Sequence, residues 1–138
     1  MAKRKHPVLE TFPNPAAQRD YHIRHVAPEF TSRCPITGQP DFGTVTIDYI
    51  PDQLCVELKS LKLYLQSFRD QGIFYEAVTN RILDELVRLL APRWIQVQTA
   101  WRTRGGISSV VTAEHEARPT ARSHAGQEPF TRGRDTRL

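Results

Sequence analysis

The sequence predicts an α+β fold in which an antiparallel four-stranded sheet carries two helices on one face, in the order ββααββ. Apolar residues alternate with polar ones on both sides of a central region, which is typical of strands. Within that central region the apolar residues recur at helical spacing instead. The chain has 138 residues, a length that predicts a single small domain.

The composition separates this domain, predicted over 20–115, from two terminal segments. Residues 1–19 are basic and carry three prolines, which favours an extended arm outside the core. Residues 116–138 contain almost no apolar side chains, so a disordered tail is predicted there. The chain has two cysteines, no apolar leader and no long apolar segment, which predicts a cytoplasmic protein without membrane contact.

The first two strands are predicted as a hairpin. Apolar and polar residues alternate over 43–50, as expected for a strand with one buried face. A proline and an aspartate within 51–53 are typical of a turn. The alternation then returns over 54–58, so the two strands are expected to pair with each other.

Two helices follow this hairpin. Apolar residues recur at helical spacing over 61–68, with Ser60 as the predicted N-cap and Gly72 near the end. A second apolar stripe covers about 74–90, and Pro92 ends it. Each helix thus presents one apolar face to a sheet.

A second hairpin completes the predicted sheet. Alternation returns over 95–101 and 107–113, and Gly105 and Gly106 supply the turn between them. Helices on one face leave the second face of the sheet partly apolar in so small a domain. Burying that face against other copies is the simplest remedy, so a homo-oligomer is expected.

Cys34 and Asp41 form the first candidate for chemistry. Cys34 stands in a stretch rich in proline and glycine beside Arg33, whose charge would raise the thiolate fraction. The same stretch can fold back and bring Asp41 to the thiol as a proton donor or acceptor. A buried structural cysteine and a turn aspartate are the alternatives, and a packing role is favoured for Cys55, inside a strand pattern.

Two further carboxylates could select a purine-like base. Glu57 lies on the second predicted strand, and Glu76 lies in the first turn of the second helix. A carboxylate can make two hydrogen bonds to the amidine-like edge of a guanine-type base. A solvated strand residue and a charge that stabilises the helix dipole are the alternatives.

Several cations could hold a phosphate. Lys59 and Lys62 are neighbours on the first helix, and Arg104 precedes the two glycines of the second hairpin. Solvated lysines and an ordinary glycine turn are the alternatives. Neither paired metal-ligand spacing nor a glycine-rich nucleotide motif occurs, so no metal is predicted and any nucleotide site is of another kind.

Taken together, these stretches resemble the NADPH-dependent 7-cyano-7-deazaguanine reductases, the QueF nitrile reductases. Residues 57–64 resemble the family signature, and 34–41 resemble its catalytic loop. The similarity continues in the same order through 68–76 and 104–108. Single-domain members of that family have the tunnelling fold, or T-fold, and form stacked rings. The resemblance therefore implies this fold and a decamer-like homo-oligomer.

The resemblance also implies a reaction. Cys34 attacks the nitrile carbon to form a covalent thioimide, and Asp41 donates protons to the nitrogen. Two hydrides from two NADPH then lead to 7-aminomethyl-7-deazaguanine, a precursor of queuosine in tRNA modification. The implied substrate-binding residues are Val56, Glu57, Leu58, Tyr75 and Glu76, and the implied cofactor-binding residues are Lys59, Ser60, Lys62, Arg104, Gly105 and Gly106.

One departure and two alternatives accompany the resemblance. Tyr75 stands where the family often has histidine, and a phenol is a poor proton shuttle at neutral pH. A T-fold relative that acts on another pterin or purine without NADPH is one alternative, against which the lysines and Cys34 argue. A nucleic-acid-binding module that uses the basic termini is the other; because it lacks interleaved aromatics, no direct nucleic-acid contact is expected.

Overall fold

The computed structural model describes residues 5–117, which confirm the α+β class with a four-stranded antiparallel sheet and two helices. Neither helix in this part of the chain is long and apolar enough to cross a membrane. The elements in chain order are β1 (Thr11–Pro13), β2 (Ile23–Arg33), β3 (Pro40–Ile50), β4 (Leu54–Val56), α1 (Leu58–Gln66), α2 (Tyr75–Leu90), β5 (Trp94–Arg104) and β6 (Ile107–Glu116).

The main sheet has the strand order β2-β3-β5-β6, and every neighbouring pair is antiparallel. Its register places Val45 opposite Thr99, and Thr99 opposite Val111, on one face. Both helices cover that face, because the hydroxyl of Thr79 in α2 lies 2.7 Å from that of Thr99, and Leu61 of α1 belongs to the same buried core. The core therefore lies between one sheet face and two helices.

The predicted first hairpin is wrong in its pairing. β3 pairs with β2 and β5, whereas β4 pairs with β1 in a separate two-stranded sheet. The first strand of the main sheet, β2, falls in a stretch with no predicted element. Its alternation is weak because Pro28 and Glu29 form a bulge between the partners Ala27 and Phe30, and the register shifts there.

The N-terminal arm joins the fold more closely than predicted. Leu9 is buried in the core, and Thr11 pairs with Val56 across the small sheet. The prediction that the arm stays outside the core is therefore wrong for these residues. The tail predicted for 116–138 lies outside the described residues, except for Glu116 at the end of β6 and Ala117, whose backbone N–H binds the carbonyl of Arg93.

The second face of the main sheet is more polar than predicted. Threonine and glutamine dominate it along β3 and β5, where Thr46 lies opposite Gln98. Its exposed apolar side chains are Val26, Phe42 and Val110, which lie on three different strands. The expected apolar surface is thus small, and it gives little support to association through this face.

Gly43 occupies a point of close approach between β3 and β5. A Cβ atom there would lie 2.7 Å from the carbonyl oxygen of Ala100 and 2.9 Å from the ring of Trp101. We expect Gly43→Ala to lower the free energy of unfolding by about 1–3 kcal/mol, because overpacking forces the strands apart. Urea unfolding measures this loss.

The matched control for Gly43→Ala is the same substitution at Gly72. A Cβ atom at Gly72 would meet its nearest neighbour, Pro35 Cα, at 3.4 Å, which is an ordinary contact. Equal stability losses in the two variants would show that the cost comes from glycine replacement in general and not from the β3–β5 contact.

Candidate active site

The loop between β2 and β3 closes on itself and carries Cys34. The backbone N–H of Cys34 binds the carbonyl of Gln39 at 2.8 Å, and the N–H of Gly38 binds the carbonyl of Cys34 at 2.8 Å. Gly38 has φ of +77°, a conformation that glycine adopts without strain. The fold-back predicted for this stretch is present, and it places the thiol at the end of one strand and Asp41 at the start of the next.

The Cys34 thiol is half-buried and is supported by hydrogen bonds. The backbone N–H of Thr37 lies 3.5 Å from Sγ. Hydrogen bonds from Thr37, together with the backbone of Ile36, lower the pKa of Cys34, although burial and the charge of Asp41 oppose this shift. Arg33 does not assist the thiol as predicted, because its guanidinium binds the carbonyl of Gly38 at 2.9 Å and Asp70 at 3.3 Å.

Asp41 is buried beside this loop, with only 3% of its surface exposed. Its Oδ1 accepts a hydrogen bond from the guanidinium of Arg104 and another from the hydroxyl of Tyr75 at 3.3 Å. Arg104 also binds Gln39 Oε1 at 3.2 Å, and thereby ties the β5–β6 hairpin to the loop that carries Cys34. Both hydrogen bonds that described residues give to Asp41 end at Oδ1, so Oδ2 is the oxygen available to a reacting group.

Tyr75 is held rigidly over the core. Its ring stacks on Trp101 with centroids 4.1 Å apart and planes 7° from parallel. The indole N–H of Trp101 donates to Thr99 at 2.8 Å, and the hydroxyl of Thr79 donates to the Tyr75 carbonyl at 2.7 Å. Burial, and after it the charge of Asp41, raise the pKa of Tyr75. The phenol therefore stays neutral and acts here as a hydrogen-bond donor.

Glu76 follows Tyr75 in the first turn of α2, and it is exposed. The N-cap residue Phe74 provides no side-chain hydrogen bond, and the negative charge of Glu76 suits this end of the helix dipole. The helix begins one residue later than predicted and ends at Leu90 as predicted. The structure thus brings Glu76 next to Tyr75, with its carboxylate open to a ligand.

The predicted substrate residues of the β4–α1 corner have different surroundings from one another. Val56 is buried, and its backbone N–H binds the hydroxyl of Tyr49 at 3.0 Å. Leu58 is exposed at the start of α1. Glu57 is the N-cap of α1, and its carboxylate accepts the backbone N–H groups of Lys59 at 2.9 Å and Ser60 at 2.7 Å. The prediction that Ser60 caps this helix is therefore wrong.

Glu57 makes the stability of α1 dependent on pH. The hydrogen bonds from the backbone of Ser60 and Lys59 lower the pKa of Glu57. Because the folded-state pKa lies below its unfolded value, the stabilisation is complete above the unfolded value and is lost as pH falls through the folded one. We expect Glu57→Gln to lower Tm near neutral pH, and this difference to shrink in acid.

Thermal unfolding across pH, followed by circular dichroism, measures the Glu57 effect. Glu29→Gln, on the exposed bulge of β2, is the control and should leave Tm nearly constant at every pH. A difference between wild type and Glu57→Gln that stays the same into acid would show that the carboxylate charge does not act as the cap.

Ser60 is buried, and its hydroxyl both accepts and donates a hydrogen bond within the chain. It accepts the backbone N–H of Glu10 at 2.9 Å and donates to the carbonyl of Glu57 at 2.8 Å. This serine therefore ties the N-terminal arm to the first turn of α1. Its position supports the neighbouring lysines and leaves the hydroxyl no proton to donate to a cofactor phosphate.

A groove of about 610 Å³ lies between β2 and α1. Its cationic lining consists of Lys59, Lys62 and Arg69, and its apolar lining includes Leu61 and Leu65. Arg69 was missed as a candidate on sequence alone. Arg69 follows Lys62 by seven residues, which is the spacing of side chains on the same side of a helix two turns apart. Because α1 ends at Gln66, before Arg69, this spacing is not a clear signal in the sequence.

The cations predicted for the cofactor fall into two separate places. Arg104 belongs to the Asp41 cluster and is absent from the lining of the groove that holds the lysines. Gly105 and Gly106 form the β5–β6 turn with φ of +59° and +81°, which confirms the predicted turn. Cys34 and Asp41 are not among the groove residues either, so within residues 5–117 the thiol lies outside the groove that holds the lysines.

No metal cluster is present in the described part of the chain, since no group of three or more histidine, cysteine, aspartate or glutamate side chains could hold an ion. The two cysteines are free thiols. What the arrangement offers chemically is a supported thiol, a buried carboxyl with one open oxygen, and a separate cationic groove.

Comparison with known proteins places these features in a family context. Residues 40–120 match the family model described as QueF-like protein. A protein of Anaeromyxobacter dehalogenans (strain 2CP-C) named NADPH-dependent 7-cyano-7-deazaguanine reductase is 61% identical over 111 residues, which cover 80% of this chain and 91% of that protein. Proteins of the same name from Chlorobium phaeobacteroides (strain BS1) and Nitrosospira multiformis are 63% identical over 110 residues and 54% identical over 130 residues. These two matches cover 80% and 94% of this chain, and 93% and 88% of the relatives.

A solved structure supports the fold. The crystal structure described as the archaeosine synthase QueF-Like in the apo form matches with a TM-score of 0.62 and 22% sequence identity. The match covers 83% of this chain and all of that chain. At this identity the likeness concerns the fold alone, and it agrees with the T-fold expected from the sequence.

Proposed function

This chain belongs to the QueF family of NADPH-dependent 7-cyano-7-deazaguanine reductases, and we propose that Cys34 and Asp41 carry out its chemistry. The protein is an oxidoreductase that reduces the nitrile of 7-cyano-7-deazaguanine to the primary amine, a step of queuosine biosynthesis. The observation that carries the assignment of residues is the closed β2–β3 loop, which holds a thiol of lowered pKa beside a buried carboxyl.

Cys34 acts as the nucleophile. A nitrile carbon is electrophilic, and attack by sulfur forms a C–S bond while one C≡N π bond breaks toward nitrogen. The hydrogen bonds from Thr37 stabilise the thiolate that attacks, since they favour its charged form. The product of this step is a thioimide held on Cys34, which divides a difficult reduction into easier steps.

Asp41 supplies the proton that the nitrogen needs. As sulfur attacks, negative charge develops on nitrogen, and a carboxyl within reach can deliver a proton there. Oδ1 is held by Arg104 and Tyr75, which leaves Oδ2 to face the reacting nitrogen. The proton given to nitrogen comes from the Cys34 thiol, which passes it to Asp41 before the attack, so thioimide formation needs no external acid and leaves Asp41 as a carboxylate.

The deazaguanine base is recognised by carboxylate and aromatic groups near the thiol. Glu76 is exposed next to Tyr75 and can accept the two N–H groups on the amidine edge of the base. Tyr75 then fixes Asp41 rather than shuttling protons, because its phenol is held neutral against Asp41 and Trp101. Val56 and Glu57 fix the backbone at the start of α1, Val56 by its bond to Tyr49 and Glu57 as the N-cap. Their contribution to substrate binding is therefore through the shape of this backbone and not through direct side-chain contacts.

The cationic groove fits the phosphates of NADPH. Lys59, Lys62 and Arg69 line it together, and three cations beside apolar side chains suit a ligand with both phosphates and flat rings. Each NADPH that binds would supply one of the two hydrides of the reduction. Ser60 helps to position Lys59 and Lys62, because its bonds to Glu10 and Glu57 fix the first turn of α1.

Lys62→Gln should separate cofactor binding from chemistry. Because the substitution removes a charge that meets phosphate, we expect KM for NADPH to rise about tenfold while kcat changes little. Steady-state rates at saturating nitrile and varied NADPH measure both constants. Lys5→Gln, which lies outside the groove, is the control.

If Lys62→Gln leaves KM for NADPH at the wild-type value, the groove does not hold the cofactor phosphates. Raised salt provides an independent check, because screening of exposed charges should raise KM for NADPH in the wild type and less so in Lys62→Gln.

We propose further that the chains assemble side by side into rings. Within residues 5–117 the edge strands β2 and β6, of 11 and 10 residues, each pair with one strand of the sheet. The backbone of Arg33 at the end of β2 also bonds Gln71 and Ile73, and the outer edges before it offer backbone groups that can pair with another copy. Light scattering at micromolar concentration tests this proposal, and a monomeric mass would overturn it.

The reaction itself is tested by mixing the protein with 7-cyano-7-deazaguanine and NADPH. Reduction of a nitrile to an amine consumes two hydrides, so two NADPH should be oxidised for each nitrile lost. Absorbance of the reduced nicotinamide and chromatography of the base measure the two quantities. No turnover by folded, assembled protein would contradict the function and favour a T-fold relative that acts on another purine or pterin.

A further inference from the structure

Ser32 stands out in the interior of the chain because its hydroxyl has no partner. The side chain is fully buried, and Ser32 Oγ is the buried side-chain polar atom of the described residues that receives and donates no hydrogen bond. A buried hydroxyl without a partner is costly and uncommon in folded proteins. It calls for an explanation in terms of what the site does.

The position of Ser32 connects it with the reaction. It lies on β2, two residues before Cys34, and directly opposite Asp41 in the β2–β3 register. Both side chains point to the helix-covered face, because Ser32 alternates with buried Phe30, and Asp41 alternates with buried Val45 through Gly43. Opposed Cβ atoms in an antiparallel pair lie about 4.5–5.5 Å apart, so the hydroxyl is within hydrogen-bonding reach of the carboxyl after a rotation.

The backbone next to Ser32 is held by hydrogen bonds, so the Ser32 hydroxyl can reach Asp41 by rotation of its side chain without a backbone movement. The next residue, Arg33, donates its N–H to the carbonyl of Gln71 at 2.9 Å and accepts the N–H of Ile73 at 3.0 Å. These two bonds clamp the end of β2 to the segment that leads into α2. The backbone of Ser32 is therefore fixed opposite Asp41.

We propose that Ser32 is a positioning residue for Asp41, and this rests on the function proposed above. When Asp41 gives its proton to the nitrile nitrogen, it is left as a carboxylate in a buried place. Arg104 and Tyr75 hold Oδ1 from the open side of the site, and the Ser32 hydroxyl donates to the same carboxyl from the core side. The Ser32 hydroxyl, which has no partner in the structure, thus donates a hydrogen bond to the Asp41 carboxylate during turnover.

Ser32→Ala separates this role from a structural one. The substitution removes a buried hydroxyl without a partner, so Tm should stay the same or rise. We expect kcat to fall about tenfold to a hundredfold, the effect of one lost hydrogen bond to a charged group, while KM for both substrates stays within about twofold. Formation of the Cys34 adduct without NADPH, followed by intact-protein mass spectrometry, should slow by the same factor.

Two further variants separate the effect of the hydroxyl from the effect of side-chain volume. Ser32→Thr and Ser32→Val have nearly the same shape, and they differ in the hydroxyl that only threonine retains. Threonine should keep the higher kcat of the two, because it alone can donate to Asp41. Thr44→Ala, on β3 but on the opposite face of the sheet from Asp41 and outside the groove, is the control and should retain the wild-type kcat.

The outcomes distinguish this inference from the proposed function. If the wild type reduces the nitrile and Ser32→Ala does so with the same kcat, the role of Ser32 is overturned and the function stands. Equal losses in the threonine and valine variants would likewise overturn it, since the loss would then follow volume and not the hydroxyl. If the wild type forms no adduct and oxidises no NADPH, both proposals fall.

Discussion

Replacing Cys34 by alanine is expected to abolish nitrile reduction. Without sulfur no thioimide forms, and hydride transfer to an unactivated nitrile has no route through another side chain of the site. The fold should remain, because Cys34 is half-buried in a loop that is closed by backbone hydrogen bonds. Oxidation of NADPH in the presence of the nitrile should fall to the level measured without protein.

Two measurements make the Cys34→Ala result specific. Intact-protein mass spectrometry should show a gain equal to the mass of the nitrile in the wild type without NADPH, and no gain in the variant. Cys55→Ala is the matched control, since Cys55 is a buried thiol on β4 and not in the β2–β3 loop. It should lose stability through a small cavity and keep the adduct. A wild-type adduct at Cys55 instead of Cys34 would contradict the assignment.

Asp41→Asn is expected to lower kcat by about 10²–10⁴, the usual contribution of a positioned proton donor. Asparagine has nearly the same shape and can still accept the hydrogen bonds of Arg104 and Tyr75, but it cannot give or take the proton. The variant should fold, because the partner Arg104 is partly exposed and its charge can be solvated. Single-turnover rates of adduct formation and NADPH oxidation measure the loss.

Asp70→Asn is the control for Asp41→Asn. Asp70 pairs with Arg33 beside the same loop, but its side chain is 81% exposed, so its ion pair contributes little. The kcat of Asp70→Asn should equal that of the wild type. If Asp41→Asn also keeps the wild-type kcat, the proton comes from solvent or another group, and the buried carboxyl serves only to hold Arg104 and Tyr75.

Local patterns in the sequence were enough to predict several elements. The apolar stripe of α2 ends where Pro92 follows, and the β5–β6 hairpin turns at Gly105 and Gly106. In each case the controlling interactions lie within a few residues, so periodicity and turn chemistry determine them. The α+β class follows from the same signals, because element type depends on which face each segment buries.

Strand pairing was not determined locally. The β4 strand follows β3 after three residues, yet it pairs with β1 from the N-terminal arm. Either pairing would satisfy backbone hydrogen bonds, and the choice depends on which one also buries Leu9 and Val56 against the helices. Such a choice is made by contacts between distant parts of the chain, which no short window of sequence contains.

The candidate site divides in the same way. Its residue types and their spacing were enough to predict that the stretch from Cys34 to Asp41 folds back, because the six residues between them are rich in proline and glycine and close a short loop. Tertiary structure alone decided that Arg104 joins Asp41 instead of the lysines, and that Glu57 caps α1 in place of Ser60. It also decided that Ser32 is buried opposite Asp41. The reason is physical: a sequence pattern reports which face of an element is buried, whereas the partner of a charge or hydroxyl depends on which elements the folded chain brings together.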